Sequence, residues 1–397
     1  MKQLSPTQAI VLVAAIQFVY FLDFVMMLPL GPDLAQQLNF ASDKLGWLSA
    51  AYTLAAVLSG LFSVRLLDRF DRRLVLLLTF GAVALCTLAA TCASGLWTLM
   101  LARGLTGLCG GPAIAVSMAI IADSTAPEQR GQAIGKVMIG FALAVIIGVP
   151  LALELARWGG WQSPFYAVAA LAALVWLAAA WRLPNLRQHL AQPLTHSVSI
   201  RSLLAQPAVR MACMVQALSQ FSAFLVIPQF SAYLLHNLGF PRERLSMLYF
   251  AGGLTAMVTV QLLGRLTDRV GPFPSAAIAT LSFCAGLAPF FDLGAIPLIL
   301  PFVLFMGGNA GRSVTLMTIT SQVPAAHERA GFMALQNIVL DLAIALAALT
   351  SSQMLGETAD GRLTGMSTVA VLSAVLVTVV LCVLPRLHKP VAALASK

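Results

Sequence analysis

The chain has 397 residues, of which 59% are hydrophobic and only 10% are charged, and its formal net charge is +9. A soluble protein carries roughly 25% charged residues, so this composition excludes a water-soluble globular fold. The apolar residues form about twelve segments of roughly 20 residues, the length at which an α-helix crosses a hydrocarbon layer of about 30 Å. The sequence therefore predicts an all-α integral membrane protein with twelve transmembrane helices, embedded in the lipid bilayer.

The predicted spans follow one another with short polar connections, except for one longer linker after the sixth. A removable signal peptide is not expected, because Asp23 interrupts the first apolar run and no small-residue cleavage site is present. The predicted spans are Ala9–Leu30, Gly46–Leu67, Leu74–Ala93, Leu96–Ile121, Ala133–Ala156, Pro164–Leu183, Val209–Leu235, Leu245–Leu266, Phe273–Phe291, Ile296–Ser321, Gly331–Leu355 and Met366–Pro385.

Basic residues are distributed unevenly between the two sides of the predicted spans. With both termini in the cytoplasm, all but seven of the 24 lysines and arginines lie in inner loops and termini. Cytoplasmic loops carry the excess of basic residues in membrane proteins, so the reverse orientation is excluded. This distribution also explains the net charge without a nucleic-acid partner. We expect a multi-pass protein of the bacterial inner membrane. The outer cations are Lys44, Arg157, Arg242, Arg244 and Arg362.

The chain also repeats itself. The sequence VRLLDRFDRR, at Val64–Arg73, returns as GRLTDRVGPF at Gly264–Phe273, and Leu38-Asn39-Phe40 matches Leu238-Gly239-Phe240. Solenoid repeats have periods of up to roughly 50 residues, so this much longer period indicates duplication of a whole half. We predict an N-terminal six-helix bundle in residues 1–183, a cytoplasmic linker in 184–206 and a C-terminal six-helix bundle in 207–397.

Two related bundles joined by a polar linker are typical of a transporter that rocks around a small-molecule substrate held between its halves. Both bundles lie in one chain, so a monomer suffices. A membrane enzyme is not expected, because the HExxH and GxSxG motifs and paired His or Cys residues are missing from the sequence. The six cysteines lie in apolar segments without CxxC spacing, and the histidines are scattered, so neither a metal nor a cofactor is predicted. A non-transporting sensor or scaffold remains an alternative of another class.

Four charged residues fall within the apolar segments, and each costs at least about 2.5 kcal/mol at the bilayer centre unless it has a partner. Asp23 and Arg103 lie at one depth near the outer surface, whereas Arg312 and Asp341 share a depth nearer the inside. We expect the pairs Asp23–Arg103 and Arg312–Asp341. A carboxylate whose cation partner moves away can take up a proton, so the pairs are candidates for proton coupling. Permanent structural ion pairs are the alternative.

Glycine, proline and polar side chains outline a candidate pocket. Helix-bending residues are expected in RGLTGLCGGP, at Arg103–Pro112, where Gly107 and Gly111 lie, and in GGNAGR, at Gly307–Arg312. Tight helix packing is the alternative for some of these glycines. Polar side chains at apolar depth are candidates for substrate binding or for interhelical hydrogen bonds. They are Tyr20, Tyr52, Gln216, Gln220, Asn309, Gln336 and Asn337.

The loop VRLLDRFDRR resembles the GxLaDRxGRR signature of the major facilitator superfamily, and the resemblance covers essentially the whole chain. The loop departs from the signature at its two glycines, which are Val64 and Asp71 here. The resemblance implies twelve helices in two pseudo-symmetric bundles, with Asp68 at the positive end of the eleventh helix and Arg72 or Arg73 paired with Asp123. The implied gating residues are Asp68, Arg69, Arg72, Arg73, Asp123, Arg130, Asp268 and Arg269.

Two further elements resemble the proton antiporters of that family. The run LARGLTG is similar to the element whose arginine is implicated in proton coupling, and Arg103 occupies that position. The run at Gly140–Ala156 resembles the antiporter signature of drug exporters and matches it at Gly148 and Pro150, which we expect to bend the helix. The resemblance implies proton-coupled export of small amphipathic organic compounds by alternating access. Proton-coupled symport, importing a sugar, amino acid or other metabolite, is the alternative.

Overall fold

The computed structural model describes residues 6–66, 70–125, 129–184, 186, 200–291, 297–325 and 328–395. These residues are almost entirely helical, and they group into two compact units. The first unit comprises Met1–Thr195 and Gln229–Ser246, and the second comprises His196–Pro228 and Met247–Lys397. The short stretch Gln229–Ser246 therefore packs with the first unit although it follows the linker in sequence. The domain boundaries drawn from the sequence stay a prediction.

The first unit is a bundle of long helices. Helix α3 packs along α5, α4 packs against α5 and α8, and α1 packs against α6. The helices are α1 (Pro6–Val25), α2 (Met27–Gln37), α3 (Leu45–Leu66), α4 (Arg72–Ala90), α5 (Leu96–Ser124), α6 (Arg130–Leu143), α7 (Val149–Gly159) and α8 (Gln162–Arg182).

The second unit is a bundle of the same kind. Helix α13 packs along α14, and α10 packs against α15 and α16. Its helices are α9 (Ile200–Ala205), α10 (Pro207–Phe224), α11 (Ile227–Ala232), α12 (Leu245–Val270), α13 (Pro272–Gly286), α14 (Ile299–Thr320), α15 (Arg329–Met354) and α16 (Met366–Ala395), with α11 and α12 each contributing an end to the first unit. A two-stranded antiparallel hairpin, β1 (Gly356–Glu357) with β2 (Leu363–Thr364), joins α15 to α16.

The twelve predicted spans all correspond to helices. Within the described ranges, nine helical stretches are long and apolar enough to cross a membrane. The three other predicted spans coincide with α3, α13 and α14. The prediction of an all-α membrane protein is therefore confirmed, and the first span divides near Met26 into α1 and α2.

The repeat is visible in the backbone at the two short connections before α3 and α12. Asn39 has a φ of 52° and Gly239 a φ of 62°, in the left-handed region that Gly and Asn adopt most readily at helix ends. Each is followed by a single 3₁₀ turn, at Ser42–Lys44 and Arg242–Arg244. The two connections thus share a conformation as well as a sequence pattern.

Candidate functional site

The core of the first unit contains a buried ion pair. Asp23 on α1 and Arg103 on α5 are both fully buried, with 0% exposure, and Arg103 Nη1 lies 2.9 Å from Asp23 Oδ2. Nη1 also donates to Oδ1 at 3.0 Å, and Nη2 donates to the Asp23 backbone oxygen at 2.9 Å. The guanidinium therefore grips both the carboxylate and the main chain of α1, and the predicted Asp23–Arg103 pair is present.

A hydroxyl completes the surroundings of the Asp23 carboxylate. Thr87 on α4 donates to Oδ1 at 2.9 Å. Charged acceptors form hydrogen bonds about twice as strong as neutral ones, so Thr87 ties a third helix to the pair. Sequence reasoning missed this role, because a threonine in an apolar helix is usually bonded to its own backbone.

Aromatic rings cover the other side of Arg103. The guanidinium carbon lies 4.8 Å from the centroid of the Tyr52 ring, within cation–π distance. The Tyr52 ring lies 5.9 Å from that of Tyr20 and 5.0 Å from that of Phe24. The predicted pocket residues Tyr20 and Tyr52 thus adjoin the ion pair and enclose it on its apolar side.

The glycines of α5 allow neighbouring helices to come close. A Cβ atom on Gly107 would overlap the carbonyl oxygen of Tyr52, and one on Gly111 would lie 2.5 Å from Ser59 Oγ. Helix α5 runs unbroken through Pro112. Gly107 and Gly111 were expected to bend this helix, but the geometry assigns them to close packing against α3, because their missing side chains leave room for its backbone.

The helix that was expected to bend at Gly148 and Pro150 does lose its regularity there. Residues Ala144–Gly148 form a π-helical turn between α6 and α7. Pro150 follows directly, and a proline removes one helical hydrogen bond and crowds the preceding turn, which favours such a bulge. A Cβ atom on Gly148 would also lie 2.7 Å from Leu22 Cδ1, so the glycine lets this segment approach α1.

A second buried arginine lies in the second unit. Arg312 on α14 has 2% exposure, and its hydrogen bonds to the described residues all go to neutral oxygens. Nη1 donates to Ser222 Oγ at 3.2 Å, while Nη2 donates to the Ser219 backbone oxygen and to Asn309 Oδ1, each at 3.2 Å. Its guanidinium carbon lies 4.0 Å from the centroid of the Phe283 ring.

The expected partner of Arg312 does not reach it. Asp341 lies half-buried on α15, and among the residues that the structure describes no ion pair joins it to Arg312. Equal depth along two helices fixes the height of two side chains but not the direction in which each points. The prediction of an Arg312–Asp341 pair is therefore corrected.

The remaining polar candidates fall into two groups. Gln216 on α10 and Gln336 on α15 both donate to the hydroxyl of Thr320, at 3.2 Å and 3.1 Å, and link three helices. These two form the interhelical hydrogen bonds that were one reading of the polar positions. Gln220 and Asn309 are half-buried and Asn337 is exposed, so these three remain accessible.

The loop before α4 makes one of the expected contacts. Arg72 forms an ion pair with Asp123 at the end of α5, as the resemblance implied. Arg73 instead donates to the backbone oxygen of Ala180 at 2.8 Å, and its own amide binds Asp71 Oδ1 at 2.9 Å. Asp71 therefore caps α4 in place of the signature glycine.

The structure gives less detail for the other residues that were predicted to act in gating. Asp68 and Arg69 lie outside the described residues, as does the side chain of Arg130. In the repeat, Asp268 and Arg269 lie exposed in the last turn of α12. Their gating roles stay predictions.

Sequence reasoning missed a polar cluster around the Gln229–Ser246 segment of the first unit. Arg242 binds both oxygens of Asp33 on α2, with Nε–Oδ1 at 3.0 Å, and also donates to the Leu153 oxygen at 3.3 Å. Ser246 donates to Glu154 Oε1 at 2.5 Å. A signal for this cluster was present, because Arg242 is one of few cations in the predicted outer loops.

Comparison with known proteins identifies relatives along most of the chain. The model of the Major Facilitator Superfamily matches residues 13–348. Multidrug resistance protein 2 of Bacillus subtilis is 23% identical over 262 residues, which cover 64% of this chain and 65% of that protein. The 3-(3-hydroxy-phenyl)propionate transporter of Escherichia coli is 28% identical over 292 residues, covering 69% of each chain. The chain thus spans about two thirds of the length of these relatives.

Solved structures share the fold at low sequence identity. A D-xylose-proton symporter superposes with a TM-score of 0.77 at 16% identity and covers 96% of this chain and 97% of its own. A bacterial homologue of the human lysosomal transporter Spinster, inward-facing and unoccupied, gives a TM-score of 0.76 at 15% identity, with 96% of each chain covered. This likeness concerns the arrangement of twelve helices in two bundles.

Proposed function

Since the chain belongs to the Major Facilitator Superfamily, we propose that this membrane transporter is a proton-coupled exporter of small amphipathic organic compounds. It would work by alternating access in the bacterial inner membrane, with both termini in the cytoplasm. The observation that carries this proposal is the fully buried Asp23–Arg103 pair, which joins α1 to α5.

The pair can act as a proton-operated contact between helices. While Asp23 is ionised, Arg103 binds its side chain and its backbone oxygen. A proton taken up by Asp23 removes the charge that holds the guanidinium and weakens a contact that low-dielectric surroundings make strong. Release of Arg103 then frees α1 to move relative to α5, so proton uptake and helix movement are coupled.

The contact between Arg72 and Asp123 would serve as a latch on the cytoplasmic side. It joins the start of α4 to the end of α5, and Asp123 is 40% exposed, so water can reach the pair. An ion pair that water can reach contributes no more than about 1 kcal/mol to stability. A latch that opens in every cycle requires such a weak contact. Asp68, Arg69, Arg130, Asp268 and Arg269 are proposed to support the same movements.

Export is proposed as the direction because of the relatives. They include a multidrug resistance protein of Bacillus subtilis and a probable sugar efflux transporter of Helicobacter pylori. Proton symport remains the second candidate, because the name of a further relative, the 3-(3-hydroxy-phenyl)propionate transporter of E. coli, does not state efflux. Either direction requires a buried acid of the kind that Asp23 provides.

Transport is tested with purified protein in liposomes that hold an imposed proton gradient. Lipophilic cations, phenicols, sugars, amino acids and aromatic carboxylates are added while the internal pH is recorded. We expect compound-dependent proton movement opposite to that of the compound, and we expect Asp23→Asn to abolish it, because the amide cannot exchange a proton.

The control is Asp360→Asn, which changes an exposed acid in the turn between β1 and β2. This variant should behave as the wild type. Proton movement in the same direction as the compound would establish symport instead. Undiminished proton-coupled transport by Asp23→Asn would remove Asp23 from the mechanism, and a folded protein that moves no compound would favour a sensor or scaffold.

A further inference from the structure

Arg312 is a buried cation without a counter-ion among the described residues. Its three hydrogen bonds go to a hydroxyl, a backbone carbonyl and a side-chain amide, none of which carries charge. Keeping an unpaired charge at this depth costs several kcal/mol, whereas an apolar residue of similar volume would cost nothing of the kind. A charge with no structural partner in its own unit is a candidate for neutralisation by a ligand.

One of the three acceptors can give way to a ligand. Ser219 and Ser222 are buried, with 2% and 0% exposure, but Asn309 is only half-buried. An amide oxygen binds a guanidinium less strongly than a carboxylate does, because a charge-assisted hydrogen bond is roughly twice as strong as a neutral one. A carboxylate arriving from the side of Asn309 could therefore replace Oδ1 and bind Nη2.

An aromatic ring lies against the guanidinium. The centroid of the Phe283 ring on α13 lies 4.0 Å from the guanidinium carbon, and Gly308 of α14 lets the two helices approach so closely that a Cβ atom would overlap the Phe283 backbone nitrogen. This contact restricts the position of the guanidinium group. A planar, oriented guanidinium is the group that recognises carboxylates with two parallel hydrogen bonds. Its Nε has no acceptor among the described residues and is available as a donor.

We propose that Arg312 binds the carboxylate of the transported compound and that the cargo class is therefore an amphipathic organic anion. The proposal rests on the transport function above but assigns a different role to this arginine from the proton coupling expected from its sequence depth. Asn309 on α14 and Gln220 on α10 are accessible polar residues, and they would contact the rest of the carboxylate end of the compound.

The test compares carboxylates with neutral molecules of the same shape. Benzoate, octanoate and 3-phenylpropionate, each beside its amide, are titrated into the purified full-length protein, and binding is measured by calorimetry without a proton gradient. We expect at least one carboxylate to bind about tenfold more tightly than its amide, from the difference between charged and neutral hydrogen bonds. Equal affinities, or no binding by any carboxylate, would overturn the proposal.

Two variants of Arg312 separate charge from shape. Arg312→Gln should remove the preference for the carboxylate, and Arg312→Lys, which keeps the charge but loses the fork, should reduce it. If Arg312→Gln does not fold, Arg312→Lys and Asn309→Ala still test whether Arg312 binds the carboxylate. Asn309→Ala does so because it opens the approach to Nη2. A carboxylate preference that survives in a folded Arg312→Gln protein would place the site elsewhere.

Control variants keep this proposal distinct from the proposed coupling. Arg362→Gln, at an exposed position between β1 and β2, should retain the preference. Asp23→Asn should also bind the carboxylate while losing proton-coupled transport. If Asp23→Asn loses coupling and Arg312→Gln keeps the preference, coupling stands and the anion site falls; the reverse result leaves the anion site and removes the coupling mechanism.

Discussion

Among the described residues, each half of the chain buries one arginine within a glycine-rich helix, and the two arginines have different surroundings. Arg103 lies against the Asp23 carboxylate, which also accepts a hydrogen bond from Thr87, and against the ring of Tyr52. Arg312 lies against neutral oxygens and a phenylalanine ring. Within the described residues, both halves thus place a buried arginine against an aromatic ring, but a counter-ion lies beside Arg103 alone.

The difference shows that a buried charge can have its counter-ion within its own unit or lack one there. In the first unit, the ion pair holds two helices together and leaves no net charge. In the second unit, Arg312 has no counter-ion among the described residues, and the proposed carboxylate ligand would supply one. Removing the same functional group from the two places should therefore have unlike consequences.

The largest effect on stability is expected from Arg103→Gln. The substitution leaves Asp23 buried with only Thr87 as a partner, and breaking a buried ion pair in this way costs about 3 kcal/mol. The free energy of unfolding, measured by SDS titration of the purified protein, should fall by that amount. A loss below about 1 kcal/mol would show that the pair does not hold α1 to α5.

A smaller loss is expected from Gly107→Ala. The new methyl group would overlap the Tyr52 carbonyl oxygen and force α3 away from α5, at a cost of about 2 kcal/mol. Gly104→Ala, one turn earlier, is the matched control, because its nearest neighbour is the Ala51 oxygen at 3.8 Å. That variant should be neutral or slightly stabilised, since alanine favours helix. Equal losses in both variants would argue against a specific close approach.

Thr87→Val should cost about 1.5 kcal/mol. It removes the hydroxyl that donates to the Asp23 carboxylate while keeping nearly the same shape, and hydrogen bonds to charged groups contribute about this much. Thr79→Val on the same helix removes a hydroxyl bonded only to backbone oxygens of its own helix, at Val75 and Leu76. Unfolding of the two variants in parallel checks the difference, and a Thr79→Val loss as large as that of Thr87→Val would contradict it.

The smallest change in stability is expected from Arg312→Gln. Loss of three hydrogen bonds and of the contact with Phe283 opposes relief from an unpaired buried charge, so the free energy of unfolding should stay within about 1 kcal/mol of the wild type. The measurement is the same SDS titration. A loss as large as that of Arg103→Gln would reveal a counter-ion for Arg312 and erase the contrast between the two halves.

Much of the architecture could be predicted from the sequence. Within a hydrocarbon layer, an apolar segment must satisfy its backbone hydrogen bonds internally, so the twelve apolar segments were expected to be helices. Depth along a helix also paired Asp23 with Arg103. The same argument failed for Arg312 and Asp341, since matched depth says nothing about the face on which each side chain lies. Rotation about the helix axis is set by packing, which single residues do not reveal.

Other parts of the site depended on neighbours that the sequence does not indicate. Thr87 looks like any helical threonine until the carboxylate of Asp23 is placed beside it. Gly107 resembles a bending residue until the Tyr52 backbone occupies the space of its side chain. Gln216 and Gln336 could have faced a substrate, but both donate to the hydroxyl of Thr320.

The segment Gln229–Ser246 lies in the second half of the sequence but packs with the first unit. The polypeptide consequently passes between the units three times, after Thr195, after Pro228 and after Ser246. Dividing the gene within the linker would leave the C-terminal fragment carrying Arg242 and Ser246, whose partners Asp33 and Glu154 are on the other fragment. Two half-proteins made separately would therefore be able to associate through these polar contacts.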